Sequence, residues 1–134
     1  MPDALRVLVV EDSGPAREAG ALALRNAGYD VTTAGGGEQA LALLRAAPAP
    51  DLLVVDVLLP LLDGWRLLER LRAEGPAVPV LVASGTAVTR AWADNYGCAG
   101  FLRKPFGPEA LVAEVRRCLG AARRVLARAP ARSP

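Results

Sequence analysis

Residues 51–60 read Asp51-Leu52-Leu53-Val54-Val55-Asp56-Val57-Leu58-Leu59-Pro60. A Val- and Leu-rich run of this length, preceded by Pro48 and Pro50, predicts a strand over Leu52 to Val57 that is buried on both faces. One acid interrupts it. A lone carboxylate in such surroundings costs stability unless it has a partner or a task.

Outward from this run, strand-like and helix-like segments alternate five times. Arg6 to Val10 is a continuous β-rich run that ends at Glu11-Asp12. Pro15 to Ala27 has helical spacing, with Pro15 near its first turn and Gly28 just past its end. Tyr29 to Ala34 alternates like a less buried strand. Gly35 to Gly37 form a loop that lacks the spacing of a phosphate cradle, and Glu38 to Ala47 reads as helix. After the central run, Asp63-Gly64 reads as turn chemistry, and Trp65 to Glu74 carries a leucine stripe at Leu67, Leu68 and Leu71. Val78 to Ala83 is the fourth strand, closed by Ser84. Val88 to Tyr96 is a weak helix and Gly100 to Arg103 a short fifth strand. Pro108 to Ala127 is the last helix, with an apolar stripe at Leu111, Val112, Val115 and Leu119. Strands alternating with helices predict an α/β fold with right-handed crossovers and a parallel sheet covered on both faces. Ligands of such sheets bind beyond the carboxyl ends of the strands. Glu11-Asp12, Asp56, Ser84 and Lys104 each follow a strand and so converge on one rim.

Lys104 is the only lysine among sixteen basic residues. An ammonium is a compact point charge that suits phosphate, whereas guanidinium is a planar fork; Lys104 also precedes Pro105, in a bond type prone to cis. Three acids on one rim repel unless a cation sits among them, and Mg²⁺ is satisfied by one or two carboxylates, waters and phosphate oxygens. On this reading Asp12 and Asp56 ligate Mg²⁺ directly, with the backbone carbonyl of Leu58, while Glu11 acts through a metal-bound water. Asp56 is the nucleophile. Lys104 pairs with Asp56 and then with a phosphoryl oxygen, and Ser84 supplies a hydroxyl to another. Each residue also has a plainer reading: Glu11-Asp12 as a helix-entry turn, Ser84 as a strand-end turn, Lys104 as a surface lysine.

The composition narrows the function. The chain has no histidine, which excludes Ser-His, Cys-His and His-metal chemistry and leaves any phosphohistidine to a partner. Cys98 and Cys118 have no metal-ligand spacing and suit a reducing, cytoplasmic setting. Leu52 to Leu62 falls short of the roughly 20 apolar residues a membrane span needs, and residues 1–4 do not begin a signal peptide. The net charge is +2, but Arg123, Arg124, Arg128 and Arg132 lie after residue 120. Setting those four aside leaves twelve basic and fourteen acidic residues, a balance of −2, which argues against nucleic acid binding by the body.

Four stretches resemble the receiver domain of two-component response regulators. They are Val9-Val10-Glu11-Asp12, residues 51–64, Pro79 to Gly85, and Phe101-Leu102-Arg103-Lys104-Pro105-Phe106. The resemblance spans residues 5 to about 120. It divides the chain into a receiver domain, 1–120, and a remainder, 121–134, made of the end of the last helix and an Arg/Ala/Pro-rich tail. It implies a flavodoxin-like (βα)5 three-layer sandwich with sheet order 2-1-3-4-5. It further implies a phosphorylatable switch rather than a turnover enzyme, with Asp56 taking a phosphoryl group from a sensor histidine kinase or phosphotransfer protein. Ser84 and Phe101 match the family's switch pair, which reshapes the α4-β5-α5 face for a downstream target, an output domain or a homodimer.

Departures from the family leave an alternative open. The interval from Ser84 to Lys104 is about two residues short, in or before the fourth helix. A pseudo-receiver, an interaction module that does not need phosphorylation, would explain it. The apolar Leu58, two residues past Asp56, argues against a Mg²⁺-dependent phosphatase; with Thr86, two past Ser84, it implies slow loss of phosphate. No output domain follows residue 134, so the chain is either a stand-alone receiver or a piece of a longer regulator.

Overall fold

The computed structural model describes residues 4–46, 48–56, 61–85 and 89–128, with side chains except at 61–65 and 122–128. Five strands, β1 (Arg6–Val10), β2 (Asp30–Ala34), β3 (Leu52–Asp56), β4 (Val80–Ser84) and β5 (Gly100–Arg103), alternate with five helices: α1 (Gly14–Asn26), α2 (Gly37–Ala46), α3 (Leu61–Glu74), α4 (Arg90–Asn95) and α5 (Pro108–Arg128). The strands form one parallel sheet in the order β2-β1-β3-β4-β5, the flavodoxin-like arrangement. Its register sets Val10 beside Ala34 and Val55, and Asp56 beside Ala83.

The inner strands β1, β3 and β4 are mainly apolar because they bury both faces, whereas the edge strand β2 leaves Asp30 and Thr32 exposed. Leu8, Val10, Leu53, Val55, Val80 and Val82 point to one side, where Leu41 and Leu44 of α2, Leu68 and Leu71 of α3 and Ala93 of α4 cover them. Val7, Val9, Val31, Leu52, Val54 and Leu81 point to the other, against Ala21 and Leu24 of α1 and Leu111, Val115 and Leu119 of α5. The period of two along each strand thus feeds two cores. Each fully buried Val or Leu stabilises by roughly 1.5–3 kcal/mol. Helix α5 lies so close to β5 that a Cβ on Gly100 would meet Cys118 Sγ, Glu114 Oε2 and Leu81 Cδ1 at 2.5–2.9 Å.

The element boundaries differ from the sequence reading most at α3, β4 and α4, and by a single residue at several other ends. Helix α3 starts at Leu61, so Asp63-Gly64 lies inside a helix and not in a turn. One Gly in a helix costs about 1 kcal/mol, less than the burial of Leu68 and Leu71 supplies. Strand β4 starts at Val80 and includes Ser84. Helix α4 has only six residues, opened by Thr89, whose hydroxyl accepts from Trp92 N at 3.1 Å. Helix α5 runs unbroken past residue 120 to Arg128. Among the described residues no helix is long and apolar enough to cross a membrane, and Cys98 and Cys118 are free thiols.

Candidate phosphoacceptor site

The carboxyl ends of β1 and β3 are neighbours because β1 pairs with β3. That pairing brings Glu11, one residue past β1, against Asp56, the last residue of β3. Both carboxylate side chains are buried, at 6% and 4% exposure. Lys104 follows β5 and enters from the far edge. Its Nζ donates to Glu11 Oε1 at 2.9 Å and, at shorter range, to Asp56 Oδ2. The Lys104 backbone is held as well: its N–H donates to Ser84 O at 2.9 Å, and the Lys104-Pro105 bond is cis.

One cation between two buried acids leaves a deficit. Asp56 Oδ1 is buried and accepts no hydrogen bond from a described residue. Two ionised carboxylates have no proton to give each other, so this position suits an added proton or a cation. The titration behaviour follows. Burial and the adjoining Glu11 carboxyl push Asp56 up to about 7, against the opposing pull of Lys104. For Glu11, burial pushes upward but is outweighed by hydrogen bonds with Asp56 and Lys104 and from the Ser13 N–H, leaving it below the usual carboxylate range. Lys104 loses hydration on burial yet is raised overall by its two acidic partners. The pair therefore divides, with Glu11 the ionised partner and Asp56 the proton-holding one.

The donor set suits a hard divalent cation in chemistry but is not a finished cage. Oxygen ligands, one of them unpartnered, match Mg²⁺, which keeps much of its water. Among the described residues, however, no three acidic, His or Cys side chains are grouped closely enough to hold a metal ion. Asp12 is exposed on the rim, without a hydrogen bond to any described residue. Leu58 and Thr86 lie outside the described residues. A cavity of about 340 Å³ opens beside Asp56 and Lys104; its walls are mainly apolar, from Ala16, Ala19 and Gly20 of α1 to Phe106 and Leu111.

Ser84 is fully buried at the end of β4. Phe101 lies buried on the α4 side of the sheet, its ring centroid 5.9 Å from the Arg90 guanidinium and 5.6 Å from that of Arg103. The sequence reading missed Arg17, whose Nη1 donates to the Glu11 carbonyl at 2.9 Å. A signal existed: a cation near the start of a helix opposes the helix dipole, so a specific partner is to be looked for.

Comparison with known proteins identifies the family. The response regulator receiver domain family matches residues 7–116. The chain is similar to the probable transcriptional regulatory protein TcrX of Mycobacterium tuberculosis, 38% identical over 115 residues, 84% of this chain and 49% of TcrX. It is likewise similar to the response regulator MprA of Mycobacterium avium, 38% identical over 117 residues, 86% of this chain and 51% of MprA. The chain thus spans about half the length of these relatives. The structure of the chemotaxis response regulator CheY4 of Vibrio cholerae superposes with a TM-score of 0.73 at 30% identity, covering 87% of this chain and 99% of CheY4. Match and topology agree, and the chain belongs to the response regulator receiver domain family.

Proposed function

We propose that Asp56 accepts a phosphoryl group from a phosphohistidine on a partner kinase or phosphotransfer protein. The observation that carries this reading is the state of Asp56: buried, held by Lys104 through Oδ2, without a partner at Oδ1 among the described residues, and facing an open cavity. In the transfer the donor's N–P bond breaks, an Asp56 O–P bond forms, and the freed imidazole takes a proton. Lys104 turns from Asp56 to a phosphoryl oxygen, which keeps its charge paired. The Ser84 hydroxyl meets a second phosphoryl oxygen.

Mg²⁺ would be held by Asp12 and Asp56, with Glu11 acting through a water and Leu58 through its carbonyl. When bound it would neutralise charge on the transferred group. Glu11 serves here first as the second anchor of Lys104, and Asp56 must give up its proton before it can attack. Phosphorylation then repacks Phe101 and the α4-β5-α5 face for a downstream protein, an output domain or a second copy. Phosphate is lost slowly, in keeping with Leu58 and Thr86, and the protein acts in the cytoplasm as a switch.

The test is labelling of the purified chain with acetyl phosphate, read by intact mass. One added phosphoryl group that requires Mg²⁺ and is absent from Asp56→Ala is the expected result. No adduct under conditions that label an ordinary receiver would leave the pseudo-receiver, the reading that the short α4 region favours.

A further inference from the structure

Every polar handle of Glu11 is engaged. Its N–H donates to Ala34 O at 3.0 Å. Its Oε1 accepts from Lys104 and its Oε2 from the Ser13 N–H at 3.2 Å. Its carbonyl, the last before the chain leaves the sheet, accepts from Arg17 Nη1 at 2.9 Å. Arg17 also donates its backbone N–H to Ser13 O at 2.8 Å. One residue therefore clamps both ends of the turn formed by residues 11–13, the turn that carries both acids that follow β1.

The guanidinium has a seat. A Cβ built on Gly35 would lie 3.4 Å from Arg17 Nη1 and 3.6 Å from Gln39 Oε1, which accepts the Gly35 N–H at 2.8 Å. Gly35 is not among the glycines with positive φ. Its backbone would accept a side chain, and a Cβ there would touch Arg17 at ordinary contact distance, whereas a bulkier side chain would compete with the guanidinium for the space. The arginine thus bonds the β1–α1 turn while lying against Gly35 of the β2–α2 loop. The bond to the Glu11 carbonyl offsets the unfavourable placement of a cation near the start of α1.

We propose that Arg17 is a positioning residue for the acidic rim: seated over Gly35, it fixes the turn that presents Glu11 and Asp12 to a divalent cation. The inference rests on the Mg²⁺-assisted function proposed above. It predicts a role felt through the ligands and not by contact with the ion, of the kind that typically changes metal affinity by 10–100-fold.

The experiment is calorimetric titration of the full chain with MgCl2, alongside metal-free thermal unfolding. Arg17→Ala is expected to bind Mg²⁺ about tenfold more weakly with a nearly unchanged unfolding midpoint. Arg17→Lys, which keeps a donor, should fall between wild type and Arg17→Ala. Gly35→Val should weaken binding by displacing the guanidinium, Gly35→Ala should not, and Gly35→Val should add nothing in the Arg17→Ala background. Wild-type affinity in Arg17→Ala overturns the inference, as does full additivity of the two substitutions. A loss of stability with unchanged affinity also overturns it and leaves a merely structural arginine. If the wild type itself binds no Mg²⁺, the proposed function fails and this inference falls with it; if only the variants match wild type, the inference alone fails.

Discussion

Two charge clusters use the same side-chain chemistry with opposite results. On the outer surface of α2 and α3, Glu74 accepts from Arg45 at 2.6 Å and from Arg70 at 2.7 Å, while Arg70 also pairs with Glu38. Each Glu74 oxygen has its own donor, and the hydrogen bond from Arg70 holds the Glu74 carboxyl below its usual range. At the rim, Glu11 and Asp56 share the single ammonium of Lys104, out of water, with one oxygen left over. The outer cluster has two cations for two acids and lies in solvent; the rim has one cation for two acids and is buried. Proximity of opposite charges therefore says little by itself. Burial and an unmatched count of donors turn an ion pair into a site that holds a proton or a metal.

The harshest way to break this contrast is to remove the rim's cation. Lys104→Met leaves two buried carboxyl groups facing each other. A loss of about 2–4 kcal/mol is expected near pH 8, and a smaller loss at about pH 5, where the carboxyls can take up protons. Urea unfolding at the two pH values reads both. Equal losses would mean that Lys104 acts by packing its stem and not by pairing.

Removing the excess acid should do the reverse. The folded-state pKa of Asp56, about 7, lies above its reference value of 3.8. Between those values the folded protein binds the additional proton, so stability falls as pH rises through this window and stays lower above it. Asp56→Asn removes this slope. It should raise stability near pH 8 by about 2 kcal/mol, less than the full shift implies because Lys104 gives up part of its pairing. Unfolding measured across the window would show a flat variant against a sloping parent. A parent that gains stability with rising pH would place the proton elsewhere.

The same proton competes with a metal. If Asp56 must ionise to ligate Mg²⁺, affinity rises with pH up to about 7 and then levels, and binding releases protons. About a tenfold gain between pH 6 and 8 is expected for one competing proton. Titration in two buffers of different ionisation heat would count the protons released. A pH-independent affinity would sharpen the contrast differently, by showing that Asp12 carries the metal alone.

Much of this arrangement is legible in the sequence because it depends on where apolar runs end. Glu11, Asp56 and Ser84 each close such a run, so identifying the strands places them on one edge. Lys104 stands out by being the sole lysine. What the sequence does not display is the division of labour among these groups. That Lys104 bridges Glu11 as well as Asp56 depends on how far β5 stands from β1, a distance no local pattern encodes. Arg17 is hidden for a similar reason: its partner is a backbone carbonyl, which every residue has. The start of α3 was misplaced because Asp63-Gly64 has strong turn chemistry, which tertiary packing of Leu68 and Leu71 overrides.

The smallest effect should come from the outer cluster, and it completes the comparison. Arg70→Ala removes a side chain bonded to Glu38 and Glu74, yet all three groups remain in contact with water. Exposed pairs gain little because solvent screens them and ordering long side chains costs entropy. The freed Glu74 still keeps Arg45, and Glu38 returns to full hydration. The unfolding midpoint should stay within error of wild type in moderate salt, with any small drop confined to low ionic strength. A salt-independent loss comparable to that of Lys104→Met would show that donor count, and not burial, separates the two clusters.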